Sequence, residues 1–492
     1  MNDLSAKKDD YKVSSSYLWS FIQHWSSRVI SLSTFFILAR VLEPRDFGIV
    51  AVSTIFIGIA EIFVDQGFGD ALVQRREITD RLLNTAFYSN ILMSLMAAAL
   101  FYTIAPLSAS YFSTPLLTPI LRIMCLSFIF TGLSAVQTSM LRRNGNYRSL
   151  AVRTIAASAA SGIVAIWCAL QNFGVWALVW QQIIYSGIAF VALWMMGDFR
   201  PGLSVSGNDF RSLLSFGTKI TSVRILDYSH TKSVDWFVGG IFGPIAVGIY
   251  SVGTRLGLIL FQLLGASMAD ASLTHFSRIQ HDRKEVYDFL EVTAERVASI
   301  SGSMFAVLAL NAGPIIEIVF GHKWAASAPI FAAFCVSGTL QSLTYVCVPL
   351  LSAMGRPGIN LAISATKLAF IIASIFIFSR FGITYIAWAS TAGTILIFAP
   401  LTITLATRAI GLAPSSLFRK LGAVYLTIAG CAIASALCSR GIETAFPKVL
   451  VSSLSYSTLF IIANFALNTQ FSRIIRLLLQ RIHNFLGGFY VA

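Results

Sequence analysis

The sequence predicts an all-α polytopic membrane protein of about fourteen transmembrane helices, arranged as two pseudo-symmetric six-helix lobes followed by two C-terminal helices. Three observations predict it. Of 492 residues, 56% are hydrophobic and 12% charged, with a mean hydropathy of +0.74, more apolar surface than a water-soluble core can hide. Apolar runs near the ~20 residues needed to cross ~30 Å of hydrocarbon recur along the chain. A short stretch also repeats itself two hundred residues later.

A polar segment, 1–13, precedes the first span. The first lobe, 14–196, holds six runs: Ser14 to Ala39, Phe47 to Gly69, Leu82 to Ile104, Leu116 to Met140, Leu150 to Leu170 and Val175 to Met196. A polar linker, 197–212, leads to the second lobe, 213–407. Its runs are Leu213 to Asp235, Ala246 to Met268, Val292 to Ala312, Ala325 to Met354, Ile359 to Ser379 and Ile383 to Ala406. Two more, Leu421 to Cys438 and Val449 to Leu467, fall within 420–468. The tail 471–492 interleaves apolar residues with Arg473, Arg476 and Arg481, as an amphipathic helix on the inner leaflet does.

Lysine and arginine number 36 against 22 acidic residues. With the N-terminus inside, 22 of the basic residues fall in cytoplasmic segments, six in outer ones and eight within spans. Cationic loops stay on the cytoplasmic side, so both termini are expected there. The same bias explains the basic balance without nucleic acid as a partner. The six cysteines lie in or beside apolar runs without metal-ligand spacing and read as packing residues. The outer loops are short, and Pro106 to Pro115 and Gln171 to Gly174 carry no charge. They leave no room for a catalytic centre of acids, bases or metal, so neither an enzyme nor a cofactor is expected.

Aligning Pro44 to Ala71 with Pro244 to Ala271 gives eight identities in 28 positions, among them Pro44/Pro244, Gly48/Gly248 and Asp70/Asp270. A proline begins a helix more readily than it continues one, and a glycine four residues on permits close helix contact. The second and eighth spans should therefore start alike. A shift of six spans preserves orientation in the membrane, the parallel type of repeat, with a substrate path expected between the halves.

Leu38-Ala39-Arg40-Val41-Leu42-Glu43-Pro44-Arg45-Asp46-Phe47-Gly48 resembles the stretch joining the first two helices in polysaccharide transporters of the multidrug, oligosaccharidyl-lipid and polysaccharide exporter superfamily. The resemblance implies a flippase that moves undecaprenyl-diphosphate-linked oligosaccharide across the bacterial inner membrane for lipopolysaccharide, capsule or exopolysaccharide synthesis, with polysaccharide assembly proteins as further partners. It also implies a cavity between the lobes, walled chiefly by helices one, two, seven and eight. A cation-coupled drug or metabolite exporter of the same superfamily is the alternative, and a scaffold for glycan assembly a third reading.

Ionisable groups at mid-bilayer cost ~2.5–3.5 kcal/mol even on the lenient insertion scale and mark function by default. At 1.5 Å per residue, Arg28 stands ~21 Å into its span, Arg224 ~17 Å and Arg255 ~14 Å from the opposite face. These three are the expected substrate-binding residues, since a guanidinium fork suits a diphosphate. Arg224, Asp227, Tyr228, Thr231 and Asp235 share one helix side. Arg224 and Asp227 neutralising each other is the competing reading. Glu61, Asp65, Asp227 and Asp235 are expected to couple an ion or balance charge, with Asp65 or Glu61 alternatively pairing with Arg28. Asp70 and Asp270, equivalent in the repeat, are candidate gate residues. Arg122, Lys232, Arg296 and Lys367 are expected to snorkel to an interface.

Overall fold

The computed structural model describes residues 2–65, 67–75, 77–442 and 444–466. Every element among them is helical. In chain order they are α1 (Asn2–Val41), α2 (Pro44–Asp65), the short α3 (Phe68–Gln74), α4 (Asp80–Tyr111), α5 (Leu117–Arg143), α6 (Tyr147–Leu170), α7 (Val175–Met196) and α8 (Gly207–Phe242). There follow α9 (Pro244–Ile279), α10 (Arg283–Leu310), α11 (Ala312–Phe320), α12 (Ala328–Gln341), α13 (Thr344–Ala353), α14 (Pro357–Phe378), α15 (Ile383–Gly393), α16 (Ala399–Ala409), α17 (Ser415–Cys438) and α18 (Ala445–Ala466). The amphipathic tail expected at 471–492 lies outside the described residues.

Among the described residues ten helices are long and apolar enough to cross a membrane, or twelve if each of two bent pairs is one span. The other two of the fourteen expected spans correspond to α1 and α8, with 40 and 36 residues. Length is not what they lack. α1 carries Gln23, His24, Arg28 and several serines, and α8 carries Arg224, Asp227, Lys232 and Asp235, so neither is uniformly apolar.

Local chemistry sets the helix ends. The side chains of Thr79, Asn146, Ser206 and Asp282 each accept from a backbone N–H of the following first turn, satisfying donors that the helix itself leaves open. Polar starts of this kind lie beyond any hydropathy run. Hence α8 begins six residues before the expected Leu213 and α10 nine before Val292. Arg153, read from sequence as an inner-loop charge, stands inside α6, its Nη1 donating to Thr138 Oγ1 at 3.3 Å.

Two expected single segments are broken, and the one expected to end at Ala312 bends there into a further helix. The C-terminal end of α2 stops at Asp65, and Gly67, with a left-handed φ of 67°, starts α3 where a loop was expected. α10 and α11 meet at Asn311 with a 73° bend, and α12 and α13 meet at 41°. Between α15 and α16 the chain makes a π-helical turn, Thr394–Phe398.

The chain divides into two compact units, Met1–Gly248 and Ile249–Ala492. In the first, α4 packs on α5, α1 on α6, and α2 on α4, α5 and α8. α8 also contacts α3 and α4, which places it with the first unit. The linker before it is stitched down by side chains. Gln137 Nε2 donates to the Phe199 carbonyl at 2.6 Å, Asn84 accepts from the Gly202 N–H at 2.8 Å and donates to Ser204 Oγ at 2.9 Å, and Arg81 pairs with Asp209 at 2.9 Å. In the second unit α10 packs on α12 and α17, and α17 on α18. Asn311, at the 73° bend, accepts a hydrogen bond from Ser452 of α18.

The repeat has a physical counterpart. α2 starts at Pro44 and α9 at Pro244. A methyl added to Gly48 would land on the Pro244 carbonyl, and one added to Gly248 on the Pro44 carbonyl. Each glycine thus makes room for the backbone of the other repeat copy.

Candidate functional site

The C-terminal half of α2 and the facing side of α8, with the start of α3, bring Asp65, Arg224 and Asp70 together. α8 lies along α2 because Tyr228 fits over Gly58, where any Cβ would collide with its ring, and because its hydroxyl donates to the Thr54 carbonyl at 2.7 Å. That contact fixes the rotation of α8. One turn earlier on the same side stands Arg224.

Arg224 joins two carboxylates at once. Nη1 bonds Asp65 Oδ2, at the last turn of α2, and Nη2 bonds Asp70 Oδ2 at 2.6 Å, in the first turn of α3. Asp65 and Asp70 flank the Gly67 break, and a planar guanidinium has two ends with which to span it. Asp65, for which Arg28 was the alternative partner from sequence, is thus paired with Arg224. A helix-periodicity argument sees only i,i+3 partners, whereas the α2–α8 packing supplies partners from other elements. The cluster is half-open: the Arg224 side chain is 37% exposed, Asp65 33% and Asp70 41%. A guanidinium so exposed keeps donors available to another anion.

Farther along α8, Asp235 accepts from Lys232 Nζ at 2.8 Å, one turn away. Asp235 thus balances a charge on its own helix, and Lys232 is paired where snorkelling alone was expected. Glu61 is half-buried on α2, and Tyr228 lies in the field of Glu61 and Asp235. Arg28 is half-buried on α1 in the first unit, and Arg255 is exposed on α9 in the second. The side chains of Asp227 and Asp270 lie outside the described residues.

Two of the cations expected to snorkel lie against aromatic rings. Arg122 lies over the Tyr102 ring, 4.5 Å from its centroid. Lys367 Nζ lies 5.8 Å from the centroid of the Phe398 ring. Lys367 is the eleventh of 22 residues in α14, ~15 Å from either end, and its side chain is too short to reach an interface. Mid-bilayer placement of an ammonium costs ~2.5–3.5 kcal/mol and a ring contact returns ~0.5–2 kcal/mol, so the contact by itself does not offset the cost. Hydropathy could not separate the two cases, because only the partner ring shows where the side chain goes.

Sequence reasoning also missed the linker stitching and the α2–α3 break. The signal for the latter was Gly67, a residue that takes up a left-handed conformation readily and so stops a helix, which a run of spanning length concealed.

A family model described as "Polysaccharide biosynthesis protein" matches residues 37–329. The chain is 24% identical over 338 residues to the succinoglycan biosynthesis transport protein ExoT of Rhizobium meliloti, covering 69% of this chain and 68% of that one. It is 24% identical to the lipopolysaccharide biosynthesis protein WzxC of Escherichia coli over 67% of this chain and 68% of that one. It is 23% identical to the teichuronic acid biosynthesis protein TuaB of Bacillus subtilis over 69% and 70%. In fold it is similar to the lipid II flippase MurJ in an inward closed conformation, with a TM-score of 0.72, 14% identity and coverage of 92% of this chain and 99% of that one. It is also similar in fold to an inward-facing multidrug resistance MATE family transporter of the MOP superfamily, at a TM-score of 0.62, 13% identity and coverage of 81% and 99%. With a family match over more than half its length and an all-helical polytopic fold, this chain belongs to the polysaccharide biosynthesis protein family.

Proposed function

We propose that this protein is a flippase that moves undecaprenyl-diphosphate-linked oligosaccharide across the bacterial inner membrane, with both termini cytoplasmic and fourteen spans in two pseudo-symmetric lobes. The observation that carries the reading is a half-open guanidinium, Arg224, held by two carboxylates on a membrane helix of a polysaccharide biosynthesis family member. A diphosphate needs charge-assisted donors to leave water for the membrane, and its release needs those donors to have somewhere to return. Asp65 and Asp70 provide that return: cargo phosphate and carboxylates compete for the same fork. Arg28 and Arg255 join Arg224 as substrate-binding residues in this reading, with Glu61, Asp65, Asp227 and Asp235 balancing charge or coupling an ion and Asp70 and Asp270 serving as gate residues. The relatives named for succinoglycan, lipopolysaccharide and teichuronic acid support a polyanionic or lipid-linked glycan as cargo, and assembly proteins of the same glycan are the expected partners.

Reconstituted protein and fluorescent undecaprenyl-diphosphate oligosaccharide in vesicles test it. Wild-type protein should carry the lipid-linked glycan from one leaflet to the other, and Arg28→Ala, Arg224→Ala and Arg255→Ala should each slow it without loss of inserted protein. Normal rates in all three stably inserted variants would remove the arginines from the site. No translocation by wild type would remove the cargo.

A further inference from the structure

Lys367 is an amine at the middle of α14 with no carboxylate in ion-pair contact among the described residues. α14 itself has no carboxylate, and from Ile318 to Ala492 the sequence contains a single one, Glu443, in the connection between α17 and α18. The elements packed most extensively against α14 are α13, α15 and the 3-10 turn Ser379–Phe381, and the π turn Thr394–Phe398, which has no titratable group, meets it through Phe398. Their titratable groups are Tyr345 and Cys347 on α13, Tyr385 on α15 and Arg380 on the turn, with Arg408 farther on in α16. None is an acid. Tyr345 is already committed, its hydroxyl donating to the Phe261 carbonyl at 2.9 Å. Among the described residues Lys367 has no ion-pair or hydrogen-bond partner, and the neighbour it does have is the Phe398 ring.

Its surroundings are specialised. Phe398 ends the π-helical turn Thr394–Phe398 and is buried, and Phe370, one turn beyond Lys367 on α14, packs edge-on against it at 5.5 Å between centroids. Phe370 is seated over Gly393, where a Cβ would strike its ring, immediately before the π turn. The extra residue of a π turn shifts the helix that follows it, and such turns concentrate at functional sites. The last residue of this turn, Phe398, lies beside Lys367. With no carboxylate among its described contacts, the charged form of an amine at this depth is costly unless something from outside the chain neutralises it.

We infer that Lys367 is a proton-binding site of the second unit, its amine lone pair accepting a proton from hydronium, leaving water, and returning it during the transport cycle. The ring of Phe398 holds the ammonium when it forms, and the absence of a carboxylate keeps the proton from being held permanently. An arginine could not do this, because it stays charged. The inference rests on the transport reading only for the cycle; the proton site stands on the geometry of α14 and the π turn.

Lysine side-chain NMR of the full chain in lipid nanodiscs, with K367R to assign the signal, reads the site directly. The expected result is one lysine signal, lost in K367R, that gives up its proton in a pH range where the other lysines keep theirs. A Lys367 signal that titrates with the other lysines overturns the proposal. In vesicles with the lipid-linked glycan, one unit of imposed pH gradient should shift the transmembrane distribution about tenfold per coupled proton in wild type, and K367M and K367R should not respond. A full response in K367M overturns the proposal as well. Wild-type protein that translocates no such glycan at any gradient counts against the cargo and leaves the NMR titration to decide Lys367.

Discussion

Gly48 and Gly248 lie against each other's repeat copy: the α-carbon of each faces the carbonyl of the proline that starts the other's helix, Pro244 for Gly48 and Pro44 for Gly248. Two residues that align two hundred positions apart in sequence thus meet in reciprocal contact, the arrangement that related copies of one motif produce when they share a close approach. The obstruction on both sides is backbone, which cannot swing aside as a side chain can.

Gly48→Ala and Gly248→Ala should accordingly each destabilise the protein by ~1–3 kcal/mol, the range of overpacking in a close-packed interior. Gly430→Ala, on α17 with nothing within 4 Å of the added methyl, should be neutral or stabilising. Thermal unfolding in detergent checks the contrast. Equal melting temperatures for all three variants would show that the reciprocal contact does not constrain the fold.

Arg224→Lys should be nearly as harmful to transport as Arg224→Ala. A lysine keeps the charge but lacks the planar fork that reaches Asp65 and Asp70 together. Losing one charge-assisted hydrogen bond, worth ~1.5 kcal/mol, corresponds to about tenfold. Translocation rates in vesicles, normalised to inserted protein, test this. A lysine variant at the wild-type rate would mean that charge alone matters at this position.

Tyr228→Phe should cost ~1 kcal/mol, by leaving the Thr54 carbonyl without the phenol donor, while the ring continues to fill the space over Gly58. Gly58→Ala should cost more, since its methyl would strike the ring itself. Denaturant-induced unfolding of the two variants gives the order, and the reverse order would displace Tyr228 as the residue that sets α8 on α2.

Asn84→Ala should loosen the linker without greatly disturbing the helices. It removes the acceptor of the Gly202 N–H and the donor to Ser204, leaving Gln137 to hold Phe199. Limited proteolysis should cleave between residues 198 and 206 several-fold faster in the variant than in wild type, an opening of on the order of 1 kcal/mol. Unchanged cleavage would assign the linker's order to other contacts.

A reporter fused after Asn468 should be active only in the cytoplasm, as the distribution of basic residues predicts. Periplasmic activity would show an odd number of spans.

The sequence by itself determined that the chain is helical and polytopic, because the free energy of moving ~20 apolar residues into lipid is a property of composition and needs no partner. It also determined the proline starts of α2 and α9 and the glycines beside them, since both are local backbone constraints that survive in a repeat. It placed Arg224, Asp65 and Asp70 among the residues to watch, because intramembrane charge is conspicuous in any apolar run. Only the tertiary structure decided which of them meet. Arg224 and Asp70 stand 154 residues apart in sequence, and their pairing depends on the break at Gly67 and on Tyr228 seating α8 over Gly58. In the same way, depth in a span could be counted for Lys367 from its position in α14, but the ring beside it belongs to a π turn on another helix, and no periodicity along one helix shows which side of a neighbour it will face.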